Sequence, residues 1–126
     1  MHENEISKII LDAAIEVHRT LGGPGLLEAV YEEALFYELT QRGLDVERQK
    51  SVPVIYKGKT LSYPLRLDLL VNGQVIVECK ATTNYNHLFE VQTLTYLRLT
   101  GCKLGLVINF GARRVVNGYH RVVNGL

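Results

Sequence analysis

The stretch Leu65-Arg66-Leu67-Asp68-Leu69-Leu70-Val71-Asn72-Gly73-Gln74-Val75-Ile76-Val77-Glu78-Cys79-Lys80 contains two apolar runs joined by a short turn. Such a pattern predicts two antiparallel strands. Asp68, Glu78 and Lys80 interrupt the runs, and charged groups inside strands are costly to bury unless something compensates them. One compensating partner is a divalent cation held by the carboxylates, with the lysine beside it to act on a nucleophilic water.

The length of the turn decides whether the two acids meet. With a two-residue loop, Asp68 would oppose Val77, and Glu78 would point to the other face. With a three-residue loop at residues 72–74, Asp68 lies opposite Glu78, and hydrophobic alternation favours this register. The same register pairs Val71 with Val75, Leu69 with Val77, Leu67 with Cys79 and Arg66 with Lys80. It also gives one apolar face, which consists of Leu65, Leu67, Leu69, Val71, Val75, Val77 and Cys79.

The remaining sequence predicts an α/β fold with the element order ααβββαβ around a mixed sheet. The first helix has Asn4 as its expected N-cap. The expected helices cover residues 5–21, 26–42 and 88–100, and the expected strands cover 46–56, 61–71, 75–80 and 104–109, with a further short strand around Val115.

Length and composition indicate one globular domain covering residues 1–126. The net charge of +1 gives no global electrostatic signature for nucleic acid. No apolar run is long enough to span a membrane, and the polar N-terminus is unlike a signal peptide, so cytoplasmic residence is expected.

Other polar residues are weaker candidates for the same site. Glu28 and Glu32 lie one turn apart on the second helix, although a solvated helix face is the commoner reason for such a pair. Gln92 and Tyr96 share a face of the third helix, where they would bind a water or a phosphate, or be a simple surface pair. The candidate contacts to a nucleic-acid backbone are Arg66, Arg113 and Arg114, and the candidate third metal ligand is the backbone carbonyl of Cys79.

The motif Gly25-x-x-Glu28-x-x-Tyr31 resembles the signature that names the GxxExxY protein family. The resemblance continues through residues 32–35, 63–71, 75–81, 97–101, 104–111 and 123–126, so it covers nearly the whole chain. That family is assigned to the PD-(D/E)XK nuclease superfamily. The resemblance therefore implies a restriction-endonuclease-like αβββαβ core, a mixed central sheet flanked by helices, and an extra N-terminal helix.

The resemblance also implies roles for individual residues. Asp68 corresponds to the superfamily's first acid, and Glu78 and Lys80 correspond to its acid-x-lysine element. Glu28 corresponds best to the early helical glutamate, and Gln92 with Tyr96 is similar to the Gln-x-x-x-Tyr element of RecB-type exonucleases. The residue before Asp68 is Leu67 and not proline, which is a common departure in this superfamily.

The leading hypothesis is a Mg²⁺-dependent nuclease, with Mn²⁺ able to substitute, that acts on DNA in preference to RNA. Asp68 and Glu78 would bind the metal, Lys80 would act on the water, and Glu28 and Gln92 would assist. One alternative is an inactive nuclease-fold module that binds nucleic acid or a protein, and another is a hydrolase of smaller phosphate esters. Because so small a chain has little surface for gripping a duplex, a homodimer or a partner is also expected.

Overall fold

Three α-helices and a mixed five-stranded sheet make up the fold, and the structure, a computed structural model, describes all residues from 1 to 126. The helices are α1 (Glu3–Thr20), α2 (Glu28–Gln41) and α3 (Leu88–Thr100), and a 3-10 helix covers Val115–Gly118. The strands are β1 (Val46–Val52), β2 (Ile55–Tyr56), β3 (Lys59–Thr60), β4 (Leu65–Val71), β5 (Val75–Lys80), β6 (Leu104–Asn109) and β7 (Tyr119–Val123).

The main sheet has the strand order β1-β4-β5-β6-β7, which puts β5 in the middle. β5 and β6 are parallel, and α3 supplies the long crossover that parallel neighbours need. The other neighbouring pairs are antiparallel. β2 and β3 form a separate two-stranded hairpin outside this sheet.

Apolar clusters cover both faces of the sheet. On one face, α1 and α2 pack through a cluster of 19 buried residues, among them Tyr31 and Leu35. On the other face, α3 packs through a smaller cluster that includes Leu97 and Ile76. Because both faces are covered, β5 and β6 are apolar at nearly every position instead of alternating.

The structure confirms the predicted fold class, a restriction-endonuclease-like αβββαβ core preceded by an extra helix. α3, β5 and β6 have the predicted bounds. The three-residue loop is also confirmed, since Val71 pairs with Val75 and Leu69 with Val77. Hydrophobic alternation set this register because a slip by one residue would turn every apolar side chain to the other face.

Prolines explain two predicted strands that are too long. The strand expected over residues 46–56 ends at Val52, because Pro53 has no N–H to continue the ladder. The strand expected from residue 61 begins at Leu65, directly after Pro64. The residues between these prolines contain the separate β2–β3 hairpin.

Two predictions near the chain termini were wrong: the strand around Val115 and the N-cap of α1. The strand expected around Val115 is a 3-10 helix, and the extra strand, β7, begins at Tyr119. His2 caps α1 instead of Asn4, because the Asn4 amide donates to His2 Nδ1 at 3.0 Å. The Glu5 carboxylate accepts from the His2 amide at 3.0 Å and completes a capping box.

Tyr31 fixes the loop between α1 and α2. Its buried ring stacks on Phe110 with a centroid separation of 4.9 Å. Its hydroxyl donates to the Gly23 carbonyl at 2.7 Å and accepts from the Leu26 amide at 3.2 Å. The loop therefore has a defined course into the first turn of α2, where Glu28 lies.

Tyr31→Phe is expected to lower the free energy of unfolding by about 1 to 2 kcal/mol, because two backbone groups lose their hydroxyl partner while the ring stays packed. Urea denaturation measures this change. Tyr37→Phe is the matched control, since Tyr37 is 64% exposed on the same helix and should change stability little. Equal effects of the two substitutions would show that the hydroxyl of Tyr31 does not hold the loop.

Candidate active site

Asp68 and Glu78, here called the acid pair, lie where β4 and β5 stop pairing through their backbones. The last backbone-paired residues are Leu69 and Val77. Beyond them, the Asp68 amide donates to Glu78 Oε2 at 2.9 Å, and the Cys79 amide donates to Asp68 Oδ2 at 2.8 Å. The structure therefore brings the two predicted acids together, and their side chains replace the expected backbone ladder.

Two of the predicted β4 positions are wrong because β4 and β5 separate beyond Leu69. Leu67 was expected on the same face as Leu69, but it packs with Ile76 in the cluster beneath α3. Arg66 was expected opposite Lys80, but it is exposed and pairs with β1 instead. The physical reason is that β4 leaves the β5 ladder at Asp68, so regular alternation relative to β5 no longer applies.

Glu78 is buried and Asp68 is half-buried, and neither has a compensating cation as an ion-pair partner. Glu78 is only 6% exposed, and burial followed by the charge of Asp68 raises its pKa to about 8. Burial raises the pKa of Asp68 to about 6, with further contributions from Glu32 and Glu28 and an opposing effect of the Cys79 amide. Neither acid forms an ion pair with a lysine, arginine or histidine. Such a site favours a bound cation.

Lys80 ends β5 beside the acid pair. Its Nζ lies 4.6 Å from the centroid of the Phe89 ring, which is a cation–π contact. Its charge lowers the pKa of both acids, yet it forms none of the ion pairs in the molecule. The ammonium group is therefore held near the acids and stays free to bond a water or a phosphate oxygen.

Asn109 fixes the segment that follows Lys80, a role that the sequence did not single out. Its Oδ1 accepts from the amides of Thr82 at 3.0 Å and Gly111 at 2.9 Å, and its Nδ2 donates to the Thr82 carbonyl at 2.9 Å. A Cβ on Gly111 would lie 2.4 Å from the Thr82 oxygen, so only glycine allows this approach. The available signal was an asparagine ending an otherwise apolar strand shortly before a glycine.

Of the two candidate glutamates on α2, Glu32 is the buried one. Its carboxylate accepts from Arg48 Nε at 2.8 Å and from Gln49 Nε2 at 2.9 Å. Gln49 Nε2 also lies 3.5 Å from Asp68 Oδ1, which links Glu32 to the acid pair. Glu28 is exposed in the first turn of α2, and its assignment to the site stays a prediction.

Tyr96 of α3 is influenced by the charge of the acid pair. Burial, together with the charges of Glu78 and Asp68, raises the pKa of its phenol. Gln92, one turn earlier, is exposed. The predicted substrate contacts of both residues remain predictions.

Arg113 and Arg114 are exposed on the segment after β6. They line a surface cavity together with Ile15 and Arg19 of α1.

The largest surface cleft, about 480 Å³ in volume, lies between α1 and α2 and away from the acid pair. Its lining includes Val17 and Tyr37, with Glu16, Glu33 and Glu38 at its edges. Glu16 and Glu38 form ion pairs with Arg19 and Arg42, and no lysine, arginine or histidine is among the residues that line the cleft.

A sequence profile of the PD-(D/E)XK nuclease superfamily matches residues 4–122, a range that includes Asp68, Glu78 and Lys80. The chain belongs to this superfamily. Searches of curated proteins and of solved structures gave no significant match. Members of the superfamily generally hydrolyse phosphodiester bonds of nucleic acids with the help of divalent metals. None of the helices has the length and apolar character needed to cross a membrane.

The side chains at the acid pair fit a hard divalent cation. Glu78 Oε1 accepts no hydrogen bond, and Asp68 Oδ1 has only the 3.5 Å contact from Gln49, so both oxygens are available to an ion. No three His, Cys, Asp or Glu side chains cluster closely enough to hold a metal by themselves. Mg²⁺ suits such a site because it keeps several waters and binds substrate phosphate in addition to one or two carboxylates.

Proposed function

We propose that this protein is a Mg²⁺-dependent nuclease that hydrolyses phosphodiester bonds, with Mn²⁺ able to substitute and with DNA favoured over RNA. The observation that carries the proposal is the acid pair itself. Glu78 is buried and Asp68 is half-buried, each accepts a hydrogen bond from a backbone amide of the opposite strand, and neither forms an ion pair with a cationic side chain. A lysine without an ion pair stands beside them, as the reaction requires.

The catalytic roles follow from the oxygens and the ammonium group that remain free. Asp68 and Glu78 would hold a divalent metal through the carboxylate oxygens that the backbone amides leave free, and the Cys79 carbonyl is a third candidate ligand. Bound Mg²⁺ would supply Lewis-acid polarisation of the phosphate. Lys80 orients or deprotonates the attacking water, or bonds the negative charge that develops on the phosphate oxygens.

Residues around the acid pair have assisting roles in this proposal. Glu28 would bind waters of the metal, and Gln92 and Tyr96 would contact the substrate from α3. Arg66, Arg113 and Arg114 contact phosphates. The motif formed by Gly25, Glu28 and Tyr31 supports assignment to the GxxExxY family, and a single domain that works as a homodimer or with a partner suits the small size of the chain.

A second candidate function is an inactive module that binds nucleic acid or a protein. The observation that favours it is the state of Glu32, whose two oxygens are occupied by Arg48 and Gln49. That leaves two carboxylates at the acid pair, and no third acidic side chain joins them closely enough to serve as a ligand. Cleavage and metal binding together separate the two functions.

The test is cleavage of single-stranded, duplex and branched DNA, and of RNA, with Mg²⁺, with Mn²⁺ and with EDTA. We expect metal-dependent cleavage by the wild type and a loss of about 1000-fold in Glu78→Gln, which keeps the size of the side chain but removes a ligand charge. Glu33→Gln is the control, because Glu33 is an exposed acid on α2 beside the cleft between α1 and α2. Its activity should match that of the wild type.

Other outcomes have defined meanings. If the wild type binds Mn²⁺ but cuts nothing, a particular substrate or a partner is required. If it binds no metal even with nucleic acid present, the inactive module is the better description. If Glu78→Gln cuts as fast as the wild type, the acid pair is not the active site.

A further inference from the structure

The β2–β3 hairpin is a projecting arm that the hydrolytic site does not use. The arm, defined as residues 53–64, begins and ends with Pro53 and Pro64, which end the pairing of β1 with β4. None of its residues belongs to either apolar cluster of the fold. Lys57 and Gly58 form its tight turn with φ angles of 49° and 81°, as a type I′ hairpin turn requires.

The arm exposes aromatic side chains that the fold does not need. Tyr56 is 58% exposed and Tyr63 is 86% exposed. Neither phenol forms a hydrogen bond within the protein, in contrast to the phenol of Tyr31, which is bonded twice. Aromatic surface left in water on an arm without a core indicates a binding surface.

All charged side chains of the arm are positive. The arm contains Lys57 and Lys59 and no Asp or Glu, and Arg66 follows it on β4, although the whole chain has almost as many acids as bases. These three cations form no ion pair. Lys59 is paired with Tyr56 across the hairpin and so shares its face, and the Nζ of Lys57 lies 5.4 Å from the centroid of the Tyr56 ring. A basic and aromatic surface results.

The arm leaves the sheet close to the acid pair. Its base is the Val52–Leu65 pair, and Asp68 lies three residues further along β4. At the rise of a β-strand this separation is about 10 Å, the length of a few stacked nucleotides. A nucleic-acid strand bound at the base of the arm would therefore lie within a few nucleotides of Asp68.

We infer that the arm binds unpaired nucleic acid, with Tyr56 and Tyr63 stacking on bases and with Lys57 and Lys59 contacting phosphates. Exposed rings beside cations suit single strands, because every unpaired base offers a face for stacking and the backbone offers charge. The inference deepens the proposed function, on which it rests, by naming the element that grips the substrate of the same site.

Binding without cleavage tests the inference. Fluorescence anisotropy would measure the Kd of labelled 20-nucleotide dT and rU strands and of a 20-base-pair duplex, all in the Glu78→Gln background with Mg²⁺. We expect the single strands to bind more tightly than the duplex. Tyr56→Ala and Tyr63→Ala should each weaken single-strand binding by about 5- to 100-fold. Comparing the Kd values of the dT and rU strands shows whether DNA or RNA is preferred.

Salt dependence tests the lysines separately. In Lys57→Gln with Lys59→Gln, the slope of log Kd against log salt should fall by about 1.4 in magnitude, since each contact to a single strand contributes about 0.7. Tyr37→Ala and Lys103→Gln are the matched controls, because both residues are exposed and lie outside the arm. Their Kd values and slopes should equal those of the parent.

Several results would overturn the inference. They are a Kd in the tyrosine variants within twofold of the parent, an unchanged salt slope in the lysine variant, tighter binding of the duplex than of single strands, or no binding of any polynucleotide by the parent. Because the parent for these measurements is Glu78→Gln, a failure of the arm leaves the cleavage result for the wild type standing. A failure of cleavage likewise leaves the binding result standing.

Discussion

Lys80→Ala is expected to lower kcat for phosphodiester cleavage by about 1000-fold. Lys80 has the single ammonium group that the structure holds beside the acid pair without an ion pair, over the ring of Phe89. Removing it takes away the group that acts on the attacking water or on the charge of the transition state. Single-turnover cleavage at saturating Mg²⁺ measures this loss without a contribution from product release.

Metal binding distinguishes this role from a structural one. Since the charge of Lys80 opposes that of a nearby cation, Mn²⁺ should bind Lys80→Ala as tightly as the wild type or more tightly. Lys80→Arg keeps the charge but replaces a compact ammonium with a planar fork, so it should recover only part of the activity. Lys103→Ala, in an exposed lysine just before β6, is the control. Cleavage by Lys80→Ala within tenfold of the wild type would exclude Lys80 from the reaction.

The stability of the metal-free protein is expected to fall as the pH rises from about 5 to 8.5. The folded-state pKa values of Asp68 and Glu78 are raised to about 6 and about 8, above their ordinary values. Between the ordinary and the raised pKa values, the folded state binds more protons than the unfolded state, so stability decreases with pH. For Glu78 the loss is on the order of 5 kcal/mol, and it is complete about one pH unit above the raised pKa.

A divalent cation should reverse this loss, because it stabilises the ionised carboxylates of the folded state. Thermal melts in EDTA and in excess Mg²⁺ or Mn²⁺ at pH 5 and pH 8.5 measure the effect. We expect a large rise in Tm with metal at pH 8.5 and a small one at pH 5. Glu78→Gln should flatten the pH dependence in EDTA and reduce the response to metal. A Tm in EDTA that is higher at pH 8.5 than at pH 5 would contradict the assigned protonation of the acid pair.

Local patterns in the sequence were sufficient to predict the bounds and register of most of the sheet. β5, α3 and β6 have the predicted bounds because each is a continuous apolar or amphipathic run that ends at a glycine or a polar residue. The register of the β4–β5 hairpin followed from hydrophobic alternation, and the pairing of Leu69 with Val77 confirms it. The family match over residues 4–122 confirms the superfamily that the motif residues suggested.

The details of the site depend on contacts between distant residues, and the sequence does not reveal these. Glu28 and Glu32 have equivalent helical patterns, and Glu32 is buried because Arg48 and Gln49 reach it from β1. The ladder beyond Leu69 is lost because the Asp68 and Glu78 side chains occupy the amides of the opposite strand. Both outcomes are competitions for hydrogen bonds that no local periodicity encodes.

The reciprocal bonds of the acid pair have a consequence for metal affinity. Because the amides of Cys79 and Asp68 each donate to one oxygen of the opposite carboxylate, a backbone hydrogen bond restricts each side chain before any ion arrives. The entropy of ordering these side chains is lost during folding and not during binding. The site is thus preorganised, and it should hold an ion more tightly than two carboxylates that rotate freely on a protein surface.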